Sequence, residues 1–172
     1  MDNTEARQRL SDDHNSVGEV LKQLLTALDD KDVPTIYAKL DLLWARLAVH
    51  IRAEHLHLFP AVTKHLAEAQ AVVEDLRTDH DFFMRELARA IGILRELSGR
   101  TSDETKLAAV REAVVEIEKR LATHNDIEEK KVYRWSSTIL TETERSELLA
   151  RVNVELENRP PRFSEETWTN GL

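Results

Sequence analysis

Two copies of one short pattern constrain this chain more than anything else in it. Each is a histidine followed four residues later by a glutamate, with an aliphatic–aromatic pair beginning four residues beyond that. The first copy is His50, Glu54 and Leu58-Phe59, with Pro60 directly after; the second is His124, Glu128 and Val132-Tyr133. Residues four apart on a helix share a face, so each copy aims an imidazole and a carboxylate in one direction. Upstream of each copy lies an aspartate–histidine pair, Asp13-His14 and Asp79-His80. The chain thus reads as two halves, each offering two histidines and one glutamate, which is the donor inventory of a dinuclear metal site. Without a cation, burying those groups costs several kcal/mol apiece, on the order of what an unpaired polar or charged group costs in a protein interior.

The rest of the composition fits a helical scaffold for such a site. Only four glycines and four prolines occur in 172 residues, and no alternating run with strand-type turns stands out. Apolar residues recur at helical spacing through four long segments. The first is about Thr4 to Leu28, ended by Asp29-Asp30-Lys31-Asp32, with Pro34 suited to the first turn of the next helix. The second carries Ile36, Leu40, Leu43, Leu47 and Ile51 toward Pro60, which is expected to end or kink it. The third runs from about Ala69 through Leu94 to Ser98-Gly99-Arg100, where Gly99 suits a C-cap. The fourth opens on a capping box from Thr101 to Glu104 and continues to about Trp135. A short fifth helix is expected from a second capping box, Thr141 to Glu144, to near Glu157, followed by an extended tail. The reading is all-α: an up-down-up-down four-helix bundle over residues 1–137, with the short C-terminal helix and tail over 138–172.

Antiparallel neighbours place two residues at one height when both are equally far from the turn between them. The midpoint of His14 and His50 falls on Asp32, inside the first predicted turn. The midpoint between His80 and the His124/Glu128 pair falls on Asp103, beside the Ser98–Ser102 break. The midpoint of the His50/Glu54 pair and His80 falls on Leu66, where His65-Leu66-Ala67-Glu68 offers no clear helix breaker. His14, His50, Glu54, His80, His124 and Glu128 would then form one layer across a bundle, the place where such folds commonly hold metal. His55, His57 and His65 are expected at the surface, as is Glu129. Asp13 and Asp79 are candidates for hydrogen bonds to ligand imidazoles. Trp44, Phe82, Phe83, Tyr133 and Trp135 read as core or rim aromatics.

Zero cysteines remove thiolate, disulfide and iron–sulfur chemistry, so any metal is held by nitrogen and oxygen. Those donors suit iron, manganese, zinc or copper alike. A net charge of −8 argues against nucleic acid or an anionic membrane as partner. No stretch approaches a membrane span, and the polar first ten residues are unlike a secretory signal, so the cytoplasm is the expected compartment. Nothing suggests a phosphate loop, a nucleophile or a pocket for an organic substrate.

The order lone His14, paired His50/Glu54, lone His80, paired His124/Glu128 resembles the hemerythrin-like family, also called HHE cation-binding domains, over about Asp12 to Trp135. The resemblance implies a four-helix bundle around a non-heme di-iron centre. In it Glu54 and Glu128 would bridge two iron ions, together with an oxo or hydroxo group, and His14, His50, His80 and His124 would be terminal ligands. It also implies binding of dioxygen or a related small molecule, such as peroxide or nitric oxide, for storage, sensing or detoxification. Oxygen-carrying members place two histidines one turn apart on the third helix. Here the positions one turn either side of His80 are Leu76 and Met84. That departure implies an open or water-filled iron position, and it favours peroxide, nitric oxide or a regulatory readout over clean oxygen carriage. An iron-responsive regulatory module without catalysis is the alternative, and a plain helical interaction module a third. Gly18, one turn beyond His14, reads as a packing glycine or as space for a small ligand.

Overall fold

The computed structural model describes residues 5–97 and 103–159. Their order is α1 (Ala6–Asp29), α2 (Val33–Ala53), a π-turn over Glu54–Leu58, α3 (Phe59–His65), α4 (Ala69–Arg95), α5 (Glu104–Ile127), a second π-turn over Glu128–Val132, α6 (Tyr133–Ile139) and α7 (Glu142–Glu157). Each π-turn is continuous with the helices on either side. Two long rods result, α2–α3 and α5–α6, and together with α1 and α4 they make the four-helix bundle. Helix α1 packs on α2 and α5, and α4 packs on the same two, which closes the ring. Helix α7 lies across α1, α2 and the first π-turn. No strand occurs among the described residues, and no helix among them is long and apolar enough to cross a membrane.

The turns have local causes. Lys31 takes a left-handed backbone with φ 55 and reverses the chain after α1. The Asp32 side chain then accepts from the Thr35 amide, with proline in the first turn of α2. The Thr141–Glu144 capping box forms in full at the start of α7. Three expectations need correction or fall outside the described residues. Pro60 does not end its helix, which runs on to His65; the chain turns instead at Leu66, whose backbone is extended. The preceding π-turn explains this. It bonds the Phe59 amide to the Glu54 carbonyl five residues back, and the wider turn places Pro60 at the start of a fresh helical segment, where no amide is needed. Leu66 is the residue that the common height of the histidines singled out. At the start of α5 the cap is Asp103, whose carboxylate accepts from the Thr105 and Lys106 amides, rather than Thr101. Thr101 and Gly99 lie outside the described residues, as do Thr4 and the tail from Pro160 onward.

The core is split in two. One apolar cluster joins Val17, Leu24, Leu40, Leu47, Phe83, Leu87, Val114 and Ile117 toward the α1–α2 turn. The other joins Leu10, Ala53, Leu58, Phe59, Leu76, Val132 and Tyr133 with Leu148 and Val152 of α7. Between Leu10 and Val17 on α1 sits His14, and between Leu76 and Phe83 on α4 sits His80. A polar layer therefore crosses the bundle with apolar packing on both sides.

Candidate metal centre

The layer comprises His14, His50, Glu54, His80, His124 and Glu128, all buried, with the two glutamates wholly inaccessible. Their donor atoms form two groups. His14, His50, Glu54 and Glu128 make one, and Glu54, His80, His124 and Glu128 make the other, with the atoms of each lying within 4.8 Å of one another. Both glutamates belong to both groups. Glu54 offers Oε1 toward His50 at 3.4 Å and Oε2 toward His80 at 3.3 Å. Glu128 offers Oε2 toward His14 at 3.2 Å and Oε1 toward His124 at 3.0 Å.

Every imidazole points Nε2 inward and is held from behind through Nδ1. His50 Nδ1–H donates to Asp13 Oδ2 at 2.9 Å, and His124 Nδ1–H donates to Asp79 Oδ2 at 3.2 Å. His14 Nδ1–H donates to Glu129 Oε1 at 3.0 Å, and His80 Nδ1 meets His55 Nε2 at 2.8 Å. A partner on Nδ1 fixes the tautomer that leaves the Nε2 lone pair facing the layer, the usual support of a metal-binding histidine. Arginines steady the two aspartates: Arg46 Nη1 donates to Asp13 at 3.4 Å and Arg120 Nε to Asp79 at 2.6 Å. Asp13 and Asp79 thus bond the histidine of the neighbouring helix rather than the one beside them in sequence.

Charge within the layer is shared among its own groups. Burial and the neighbouring Glu128 push the Glu54 carboxyl up, but His50 and His80 outweigh both and bring it down to about 2. Glu128 is likewise held well below the usual carboxylate range: burial opposes this, and His124, His14 and His80 prevail. Burial disfavours protonation of His80, yet both glutamates raise it to about 9. His50 is raised well above an ordinary imidazole against the same opposition by Glu54 and Asp13. The upward shifts of His50 and His80 and the downward shifts of Glu54 and Glu128 thus share one cause, their mutual attraction inside the layer.

That attraction leaves buried atoms without hydrogen-bond partners: Glu54 Oε2 and Glu128 Oε1. Both belong to the second group. His80 and His124 lie close enough to them, but their Nε2 atoms face each other at 3.0 Å instead. Two imidazole nitrogens converge on each other beside two carboxylate oxygens that make ion-pair approaches at 3.0 and 3.3 Å but no hydrogen bond, an arrangement that a cation among them would satisfy. The donor set therefore fits a metal ion. Beside the imidazoles, on the side toward Val17, Leu47 and Phe83, is a cavity of about 10 Å³, room for one water-sized molecule.

Three residues read from sequence as surface or core reach this layer. His55 is half-buried and backs His80, and burial, with His80 and Arg77 adding to it, lowers its pKa to about 4. Glu129 is exposed, yet it holds His14. Tyr133 is fully buried with its hydroxyl among the donors: it donates to Glu54 Oε1 at 2.8 Å and lies 3.0 Å from His14 Nε2. On a regular helix Tyr133 would stand well off the face of Glu128. The π-turn absorbs one extra residue, rotates the start of α6 by about 100°, and brings the ring round. The signal for all three lay in the repeat itself: the offset from His50 to His124 also relates His55 to Glu129, Phe59 to Tyr133 and Arg46 to Arg120.

The remaining expectations resolve more simply. His57 and His65 stay out of the layer, near Glu155 and Glu144 respectively. Leu76 is buried in the second apolar cluster and supplies no donor. Gly18 is neither a packing glycine nor a space for ligand, because it is exposed and an added Cβ would meet nothing within 4 Å. A family model described as the hemerythrin HHE cation binding domain matches residues 5–136. No curated protein and no solved structure matches the chain.

Proposed function

The chain belongs to the hemerythrin HHE cation-binding family, and from that premise we propose that it is a di-iron protein that binds dioxygen or a related small molecule, peroxide or nitric oxide, in storage, sensing or detoxification. His14 and His50 hold one ion, His80 and His124 the other, and Glu54 and Glu128 serve both. The observation that carries this reading is the sharing: each glutamate directs one oxygen into each group of four donors. The metal-binding unit is residues 1–137, and α7 packs against it.

Iron held in such a layer supplies electron exchange with a small oxygen- or nitrogen-centred molecule. The chain's own residues set the conditions. Asp13, Asp79, Glu129 and His55 orient the four imidazoles. The two carboxylates offset cationic charge, and cations replace the protons that His50 and His80 otherwise carry. Apolar packing on both faces keeps bulk water away and lowers the local dielectric. The cavity beside the imidazoles has room for one water-sized molecule, which favours a small ligand over an organic substrate.

The test is to load the protein with ferrous iron without air and record the visible spectrum on adding dioxygen, peroxide or nitric oxide in turn. A rapid spectral change with at least one of them is expected. Iron-loaded protein inert to all three would contradict the reading.

A further inference from the structure

The two donor groups are related by the offset between His50 and His124, and that relation fails at one chemically decisive point. Phe59 and Tyr133 occupy equivalent places, each opening the helix after a π-turn. Each ring stacks on an imidazole of the layer: Phe59 on His80 with centroids 5.9 Å apart, Tyr133 on His14 at 5.5 Å. Only Tyr133 brings an oxygen.

Tyr133 Oη faces all four donors of the first group. It is 2.8 Å from Glu54 Oε1, 3.0 Å from His14 Nε2, and 3.5 Å from both His50 Nε2 and Glu128 Oε2. These match the separations inside the group itself, 3.2 Å for His14–Glu128 and 3.4 Å for His50–Glu54. Neighbouring ligands at right angles on an ion with bonds of roughly 2.1 Å stand about 3 Å apart. The hydroxyl is too far from the four atoms to mark the ion's own place and at the right distance to be their fellow ligand. The equivalent point of the second group is the unfunctionalised edge of Phe59, and that group also contains the two carboxylate oxygens without partners.

We propose that Tyr133 is a fifth protein donor to the His14/His50 metal position, making the two positions unequal and leaving the His80/His124 position as the one that takes an exogenous ligand. This rests on the di-iron reading above. When the Oη–iron bond forms, the phenolic O–H bond breaks and its proton leaves to solvent; no electron moves. The positions one turn either side of His80 then matter on the same side, because neither Leu76 nor Met84 supplies a nitrogen or oxygen donor.

The chain has two tyrosines, and Tyr37 is exposed, so a spectroscopic assignment is clean. The experiment is visible absorption and resonance Raman of the full chain loaded with ferric iron, with metal content measured on the same samples. A phenolate-to-iron band is expected, with ring modes that shift when the protein carries ring-deuterated tyrosine. It should persist in Tyr37→Phe and vanish in Tyr133→Phe. Azide added to the wild type should generate its own iron band and leave the phenolate band in place. Iron-replete wild type with no tyrosine modes overturns the proposal while the di-iron reading stands, and the wild-type measurement decides this even if Tyr133→Phe does not fold. Azide that abolishes the phenolate band overturns the inequality of the two positions. Wild type that takes up no iron overturns both readings, and metal content separates that case from the others.

Discussion

His14, His50, His80 and His124 are useful because of what stands behind them. Each Nδ1 has a partner, and for His50 and His124 that partner is an aspartate on the adjacent helix. Asp13→Asn or Asp79→Asn preserves shape but removes the anionic acceptor, so iron affinity should fall by about 10- to 100-fold, measured by competition with a chelator. An unchanged affinity would mean that the aspartates are merely structural. Glu54→Ala should lose iron from both positions, because Glu54 belongs to both donor groups, and His124→Ala from the position it shares with His80. His65→Ala should not, because His65 lies outside the layer and bonds Glu144 at the surface. The six layer residues were legible in the sequence through spacing and common height. Tyr133, His55 and Glu129 are signalled only by the repeat, which pairs His55 with Glu129 and Phe59 with Tyr133, while a uniform helix of about 100° per residue sends them away from the layer. For Tyr133 the π-turn before it supplies the missing rotation, and local propensity gives no sign of that turn.

At the scale of helices and turns, propensity and capping did most of the work. The α1–α2 turn and the full α7 cap follow directly from Asp32, Pro34, Thr141 and Glu144. The α3–α4 turn was visible only from the height of the histidines, because Pro60 competes as a breaker and loses to the π-turn before it. Gly18 is exposed mid-helix with open space around its Cα. Gly18→Ala should therefore stabilise the protein by up to about 1 kcal/mol in chemical denaturation, without altering iron content. Thr141→Ala breaks a reciprocal cap and should cost about 1 kcal/mol. Because α7 contributes Leu148, Val152 and Leu156 to the second apolar cluster, that loss should register in global stability and not only as local fraying.

For the whole molecule, a buried ionisable layer between two apolar clusters couples folding to pH and to metal. In the metal-free protein His80 is raised from 6.5 to about 9, so its contribution is full below 6.5 and is lost as pH climbs toward 9. Glu54 is lowered from 4.5 to about 2, so its contribution is present above 4.5 and is lost as pH falls toward 2. His55, lowered from 6.5 to about 4, acts in the opposite sense to His80, and its contribution is lost as pH falls below 6.5. Metal-free protein should thus be most stable near pH 6.5. Metal binding has the opposite alkaline trend, because it needs the imidazoles unprotonated. The rise in Tm on loading should therefore widen from pH 6 to 9 and shrink in acid, as paired thermal scans would show. A pH-independent difference would mean that the layer's protons are not displaced by metal. Beneath all of these expectations lies the claim that six side chains hold two ions and share two carboxylates. The most direct measurement is iron per folded chain at saturation, on wild type and on Glu54→Ala side by side. About two irons for the wild type, with loss from both positions in the variant, is the expected result; one iron or none in the wild type would contradict it.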